Sequence, residues 1–237
     1  MRRGLLAGLW PGWVGLVVPG LWVAYALYAQ WEGRAASEPA GLVAFWPALP
    51  LYIGSCLVAR WGQRDPAPRP TVLLAVGVAM AAADLAIKAW IEGHLAYHTP
   101  YPLLGSWLAI DRVHNIYGTM LAIPGAKPYV TALAALLGPV AVLGYLYYRA
   151  HEPPVVWAHV GFVGFFAGAL GKAGDLLSRG LVVDYLHIPG LPIADLADVY
   201  LIWIGAGCIL AATLCYPEAW PDVWRRRTRG DSTHGPS

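Results

Sequence analysis

Residues 72–92 read VLLAVGVAMAAADLAIKAWIE. The stretch is long enough to cross a bilayer, because a spanning helix needs roughly 20 mostly apolar residues. It nevertheless carries Asp84 and Lys88 in its interior. The two stand four residues apart on one helical face with the acid N-terminal, a favourable pairing order. A charge near the bilayer centre costs at least about 2.5–3.5 kcal/mol on insertion scales, so ionisable residues in such a helix read as functional. Five further apolar runs flank this one, near 4–29, 41–60, 128–149, 155–175 and 198–216.

Composition agrees with that reading. Of 237 residues, 58% are hydrophobic and 13% charged, against about 25% charged in an average soluble domain. Mean hydropathy is +0.51. Such a mix excludes disorder, collagen, a coiled coil and a disulfide-stapled secreted fold. A soluble globule would lack the polar residues to cover its surface. The expected class is an all-α polytopic membrane protein with about six transmembrane helices. Cys56, Cys208 and Cys215 all sit in apolar runs without metal spacing and read as small apolar residues. The net charge of +2 carries no nucleic-acid signal.

The first apolar run follows Met1-Arg2-Arg3, as a signal peptide would, and Ala24-Tyr25-Ala26 resembles a cleavage site. The run is longer than a signal h-region, so it reads as an uncleaved span, with Pro11 and Pro19 expected to bend it. Basic residues set the direction. If the spans alternate, Arg2, Arg3, Arg60, Arg64, Arg69, Arg149, Arg225, Arg226, Arg227 and Arg229 fall on one side; only Arg34, Arg112, Lys127 and Arg179 fall on the other. The positive-inside rule then puts both termini in the cytoplasm. Residues 217–237 read as a short basic cytoplasmic tail near anionic lipid. Outside, residues 93–127 and 176–197 are long enough to form structure. The segment His98 to Gly118, with Pro100, Pro102 and Gly105 ahead of Trp107, reads as a small extracytoplasmic β-element on the bilayer face. No internal repeat is visible.

The remaining expensive residues gather at the same, outer level. Lys172 and Asp175 lie near the outer end of 155–175, Asp184 follows in the loop, and Asp195 and Asp198 open the last span. Four of the fourteen acidic residues thus fall between 175 and 198; repulsion opposes such gathering unless something uses it. Asp195 and Asp198 are also spaced as an N-cap and an N3 residue. Capping explains those two but neither Asp184 nor the Asp84/Lys88 pair. Glycines at 161, 164, 168, 171 and 174 form one helical stripe, which admits a close neighbour and shields Lys172 and Asp175 from lipid.

At these residues the chain resembles a family. Gly168-Ala169-Leu170-Gly171-Lys172-Ala173-Gly174-Asp175, continued by Gly180-Leu181-Val182-Val183-Asp184-Tyr185, resembles the G-A-L-G-N-x-x-D-R and G-x-V-V-D-F motifs of bacterial lipoprotein signal peptidase (signal peptidase II). Asp195-Leu196-Ala197-Asp198 is similar to its N-x-A-D, Val113-His114-Asn115 to its V-x-N-T-G, and Asp84-x-x-x-Lys88 to its D-x-x-x-K, all in order. The resemblance covers about residues 72–216 as a four-helix membrane core, leaving 1–71 as an added two-helix hairpin. It implies an intramembrane aspartic endopeptidase of the bacterial inner membrane, with its active site toward the outer leaflet. Such an enzyme cuts the signal peptide of a prolipoprotein before a lipid-modified cysteine. Asp184 and Asp198 fall on the family's catalytic pair; Asp84, Lys88 and Asn115 fall on its supporting polar positions. Lys172, Asp175 and Asp195 complete the expected site. The expected partners are the lipid-modified precursor peptide and membrane lipids, with no nucleic acid, metal or cofactor; oligomeric state is left open.

Chemistry supports the pairing. Two close carboxylates cannot both ionise cheaply, so they share a proton. The ionised one takes a proton from the attacking water; the protonated one donates to the scissile carbonyl and assists the leaving amine. Such a pair titrates as a unit, which leaves the two roles unassigned. The chain departs from the family pattern at Lys172 and Asp195, where the family has asparagines, at Leu176, where it has arginine, and at Ile116-Tyr117-Gly118. Lys172 and Asp195 are therefore expected to form a compensating ion pair beside the dyad, with Arg179 standing in for the missing arginine. A lysine there depresses nearby carboxylate pKa values. His114 reads as packing or as polar site lining. Two other readings stay open: a catalytically silent protein that binds a lipid or lipidated peptide, and a small transporter using Asp84, Lys88, Lys172 and Asp175. The lack of an inverted repeat speaks against transport.

Overall fold

The computed structural model of the chain describes residues 13–32, 43–62, 68–117, 127–151 and 155–215. The tail at 217–237, Arg2, Arg3, Pro11, Arg34, Arg64 and Gly118 lie outside the described residues. After a tight turn at Trp13–Leu16, the helices are α1 (Val17–Trp31), α2 (Ala48–Gly62), α3 (Pro70–His94), α4 (Lys127–His151) and α5 (Val156–Ser178). The last helix, α6, opens with a turn at Leu196–Asp198, widens to a π-helix over Val199–Ala206 and closes as an α-helix over Gly207–Cys215. Strands β1 (Tyr101–Pro102), β2 (Ala109–Asn115) and β3 (Val182–His187) form one antiparallel sheet in the order β1-β2-β3.

Among the described residues, five helices are long and apolar enough to cross a membrane: Trp13–Trp31, Pro70–His94, Pro128–Ala150, Val156–Ser178 and Leu196–Leu214. The run at 41–60 differs. Its helix has 15 residues and begins after Pro47, and at 1.5 Å per residue it spans about 22 Å. Proline has no N–H to donate and fixes its own φ, so the helix starts behind it rather than running through. The expected β-element is present between α3 and α4, and the second outer loop adds a third strand to it.

Helix α5 lies at the centre, packed against α3, α4 and α6. Its glycine stripe makes this possible. A Cβ on Gly164 would lie 2.8 Å from Gly205 N and Tyr200 O, and one on Gly168 would lie 2.6 Å from Ala197 O, Leu201 N and Leu201 Cβ. Backbone atoms cannot rotate away. Gly168→Ala therefore sets a helix-propensity gain of about 1 kcal/mol against an overpacking cost of about 1–3 kcal/mol. The expected result is a lower unfolding temperature in detergent, because the backbone of Ala197 must move; an unchanged or higher midpoint would contradict the close approach. On the far side, α1 packs on α6 through Trp22 and Trp203, with ring centroids 4.6 Å apart. Trp22 Nε1–H donates to Ala44 O at 2.9 Å.

Short-range features aim the polar ends. Helix α3 begins at Pro70, whose fixed φ suits the first helical position. Arg112 closes its other end, donating to the carbonyls of Glu92 (3.0 Å) and Leu95 (3.2 Å), which the helix itself leaves without partners. Beyond α5, Gly180 adopts φ +68°, the left-handed turn that favours glycine after a helix, and sends the chain into β3. A second turn at Gly190, φ +83°, leads back, and Ala194 exchanges backbone hydrogen bonds with Leu186. That return sets Asp195 and the start of α6 beside β3.

Candidate active site

At the sheet end of the bundle, Asp84 and Lys88 from α3, Lys172 and Asp175 from α5, Asp184 from β3, and Asp195 and Asp198 from the start of α6 form one buried cluster. Two ammonium groups organise it. Lys88 Nζ lies 2.7 Å from Asp84 Oδ2, 2.6 Å from Asp175 Oδ2 and 2.6 Å from Asp195 Oδ2. Lys172 Nζ lies 3.0 Å from Asp195 Oδ2, 3.0 Å from Asp198 Oδ1 and 3.7 Å from Asp184 Oδ1. Asp195 thus bridges both lysines through one oxygen. The acidic oxygens fall into two trios, Asp84/Asp175/Asp195 and Asp184/Asp195/Asp198, each with its atoms within 4.8 Å of one another. Carboxylates at that spacing have a metal-like ligand set, but the cation that each trio meets is a lysine.

The expected pair of Lys172 and Asp195 is present, and so are both readings of Asp195 and Asp198. Asp195 Oδ1 accepts from Asp198 N at 2.7 Å and Asp198 Oδ2 accepts from Asp195 N at 3.4 Å, a reciprocal capping box. Each residue spends one carboxylate oxygen on the helix start and turns the other toward a lysine. Capping and clustering therefore cooperate: the cap fixes the rotamers that aim Asp195 Oδ2 and Asp198 Oδ1 inward.

Sheet register places the rest. Val113 pairs with Asp184 and Asn115 with Val182, so Asn115 stands diagonal to Asp184, within reach of a side chain. Its Nδ2 donates to Asp184 Oδ2 at 3.0 Å. Tyr185, which the sequence reading quoted only as part of a motif, donates its hydroxyl to Asp84 Oδ1 at 3.2 Å. Its tyrosine hydroxyl in a run of apolar residues was the available signal. Arg179 does meet Asp175, and its Nε also lies 2.9 Å from Glu92 Oε2. Leu176, at the arginine position of the family motif, is buried with Ala134, Ala173 and Val182. Glu92 was not singled out by sequence; it ties α3 to α5 through Arg179. His114 is half-buried on β2, 3.9 Å from Glu92 Oε1 and against the Tyr97 ring, beside the cluster rather than in it.

Burial and the two lysines act against each other on the acids carried by β3 and the start of α6. It pushes the Asp184 carboxyl up to about 6; Lys172 pulls it down, Asp195 pushes it further up, and the Asn115 hydrogen bond pulls it down. Burial also acts to raise Asp195, but Lys172 and Lys88 outweigh it and hold that carboxyl at about 2. Tyr185 is raised by burial and by Asp84, which keeps it a neutral donor.

Lys172→Ala removes the cation and leaves Asp195 and Asp198 short of a partner, a change that costs about 3–5 kcal/mol when a buried pair is broken. Lys172→Asn combined with Asp195→Asn deletes one charge of each sign, and asparagine still caps a helix. The double variant is expected to unfold at a higher temperature than Lys172→Ala. Equal or greater stability of Lys172→Ala would show that the pair compensates nothing.

Comparison with known proteins places the chain in a family. The family described as signal peptidase (SPase) II matches residues 76–215. The lipoprotein signal peptidases of Brucella ovis, Brucella canis and Brucella melitensis are each 33% identical to the chain over 131 residues, 54% of this chain and 79% of theirs. Two solved bacterial membrane enzymes, determined by the in meso method at 2.3 and 1.9 Å, share the fold. Their TM-scores are 0.52 and 0.53 at 17% and 21% identity, covering 70% and 62% of this chain and 95% and 94% of theirs.

Proposed function

Since the chain belongs to the signal peptidase II family, a family of multi-pass bacterial inner-membrane proteases that act on lipoprotein precursors, we propose that it is an active aspartic endopeptidase. On this reading it releases the signal peptide from a lipid-modified prolipoprotein. Asp184 and Asp198 are the dyad. Asp84, Lys88, Asn115, Asp175 and Asp195 hold the surrounding polar frame. The sheet end faces outward and both termini are cytoplasmic; this counts α2 as a crossing despite its length, because Trp46 ahead of it meets Trp107 at the sheet end while Gly62 at its other end packs on Val156 at the start of α5, and the distribution of basic residues supports the orientation.

The observation that carries the reading is the meeting of Asp184 and Asp198. They come from a strand and a helix start, yet their carboxylate oxygens lie within 4.8 Å, a spacing that one water can bridge. The water gives a proton to the ionised carboxylate as its oxygen bonds the scissile carbon. The protonated carboxyl donates toward the carbonyl oxygen, and the departing amine recovers a proton as the C–N bond breaks. Asn115 fixes one oxygen of Asp184, leaving Oδ1 for the reaction.

The direct test uses the full chain in phospholipid vesicles with a precursor peptide that carries a diacylglyceryl-modified cysteine. Release of the signal peptide, read by mass spectrometry, is the expected result. One observation favours a second reading: Lys172 Nζ stands between the two aspartates, as it would in a silent protein that only binds the lipopeptide. Retained binding without cleavage would establish that reading and overturn the peptidase.

A further inference from the structure

The cluster has a sealed half and an open half. The side chains of Asp84, Lys88, Asp175 and Asp195 have 0% accessibility. Those of Lys172, Asp184 and Asp198 retain 10%, 7% and 9%. A substrate that reaches either aspartate from the open side therefore meets the lysine as well. The ammonium has three N–H donors. Two are directed at Asp195 Oδ2 and Asp198 Oδ1, both at 3.0 Å. The remaining direction faces Asp184 Oδ1, which lies 3.7 Å away and has no hydrogen-bond partner although it is buried. Nothing fits between two atoms at that distance, but an oxygen placed to one side of their line, toward the open face, lies within hydrogen-bond reach of both the ammonium and the carboxylate oxygen.

We propose that Lys172 is a third catalytic group of this centre, the donor that polarises the scissile carbonyl and holds the oxyanion of the tetrahedral intermediate. The inference rests on the peptidase reading. Asp195 anchors the lysine from the sealed side, so the donor is fixed before substrate arrives, the condition under which such a group is most effective. As the water oxygen bonds the carbonyl carbon, one aspartate takes the water proton and the C=O π pair moves onto oxygen, facing Lys172 Nζ–H. When the intermediate collapses, C=O re-forms, the C–N bond breaks, and the amine leaves with a proton from the carboxyl pair. The lysine keeps its proton throughout. Sharing this task with an ammonium frees the dyad from supplying the only donor to the oxyanion.

The experiment compares the full chain with Lys172→Met, Lys172→Arg and the charge-balanced, donor-free Lys172→Met/Asp195→Asn in vesicles, using the diacylglyceryl-modified precursor peptide and measuring kcat and KM separately. Loss of an oxyanion donor lowers kcat by about 10²–10³-fold. Lys172→Met and the double variant are expected to show that loss with KM nearly unchanged, while Lys172→Arg, which keeps charge and donors, retains more activity than Lys172→Met. The double variant separates the chemistry from folding, since its charges are balanced: recovered stability with unrecovered kcat supports the inference. Wild-type kcat in the double variant would overturn it and leave Lys172 a charge compensator. Cleavage that also survives Asp184→Asn would overturn the Asp184/Asp198 dyad beside which Lys172 is placed, and a wild type that never cleaves would overturn both the peptidase reading and the inference.

Discussion

Asp184→Asn and Asp198→Asn are each expected to slow cleavage of the lipid-modified precursor by about 10³–10⁴-fold, toward the upper end of what a positioned acid or base contributes. Each substitution is nearly isosteric and removes only the capacity to carry or release a proton. An amide oxygen at position 198 can still accept from Asp195 N in the helix cap, and one at position 184 can still accept from the Asn115 amide, so the fold is expected to persist in both. The double variant is expected to be no slower than either single one, because groups that act as a unit are not additive. The pH profile gives a second check. With the Asp184 carboxyl at about 6, kcat/KM of the wild type is expected to bend near pH 6, and the bend should vanish in Asp184→Asn. Its neighbours shift it in opposite directions. Lys172 lowers the Asp184 pKa, so Lys172→Asn moves the bend to higher pH. Asp195 raises it, so Asp195→Asn moves the bend to lower pH. A profile that ignores all three changes, or full activity in either dyad variant, would remove Asp184 and Asp198 from the mechanism.

Apolar length made the helices of this site legible in the sequence, and the cost of charge in lipid made its residues legible. Asp84 and Lys88 stood out because a helix as apolar as 72–92 has no reason to carry them unless they are used. The glycine stripe at 161–174 foretold a close neighbour, which is α6 at Gly161, Gly164 and Gly168 and α3, through Leu85, at Gly174. What sequence could not supply was the third dimension of the charge pairing. Spacing alone joined Lys88 to Asp84; its contacts with Asp175 and Asp195 cross from α3 to α5 and α6 and leave no periodic trace. Strand β3 was hidden for the same reason: its partner, β2, lies across α4 and α5 in the chain, and a short apolar run reads equally well as a loop. Arg112 was legible only as an outer charge, although its work is to close the end of α3. The short α2 followed from Pro47, whose local rule was visible but was outweighed by the apolar length of 41–60.

The largest structural effect is expected from Lys88→Met, in which almost no folded chain should be recovered from the membrane. Lys88 has no accessible surface, and three carboxylates lie within 2.7 Å of its nitrogen. Breaking one buried pair costs about 3–5 kcal/mol; here three acids lose their common cation at once, against a total stability of about 5–15 kcal/mol for a typical protein. The acids are not equally stranded. Asp175 keeps Arg179, and Asp195 keeps Lys172. Asp84 keeps only the Tyr185 hydroxyl among the described contacts. A neutral amide can accept that same hydrogen bond without needing a counter-charge. Lys88→Met/Asp84→Asn is therefore expected to recover more folded protein than Lys88→Met alone, and more than Lys88→Met/Asp175→Asn, which leaves Asp84 without a cation and takes from Arg179 one of its two acidic partners. Yield after detergent extraction and the unfolding midpoint read the order directly. If the two double variants recover equally, the cluster behaves as a diffuse pool of charge rather than as the specific pairs its distances describe.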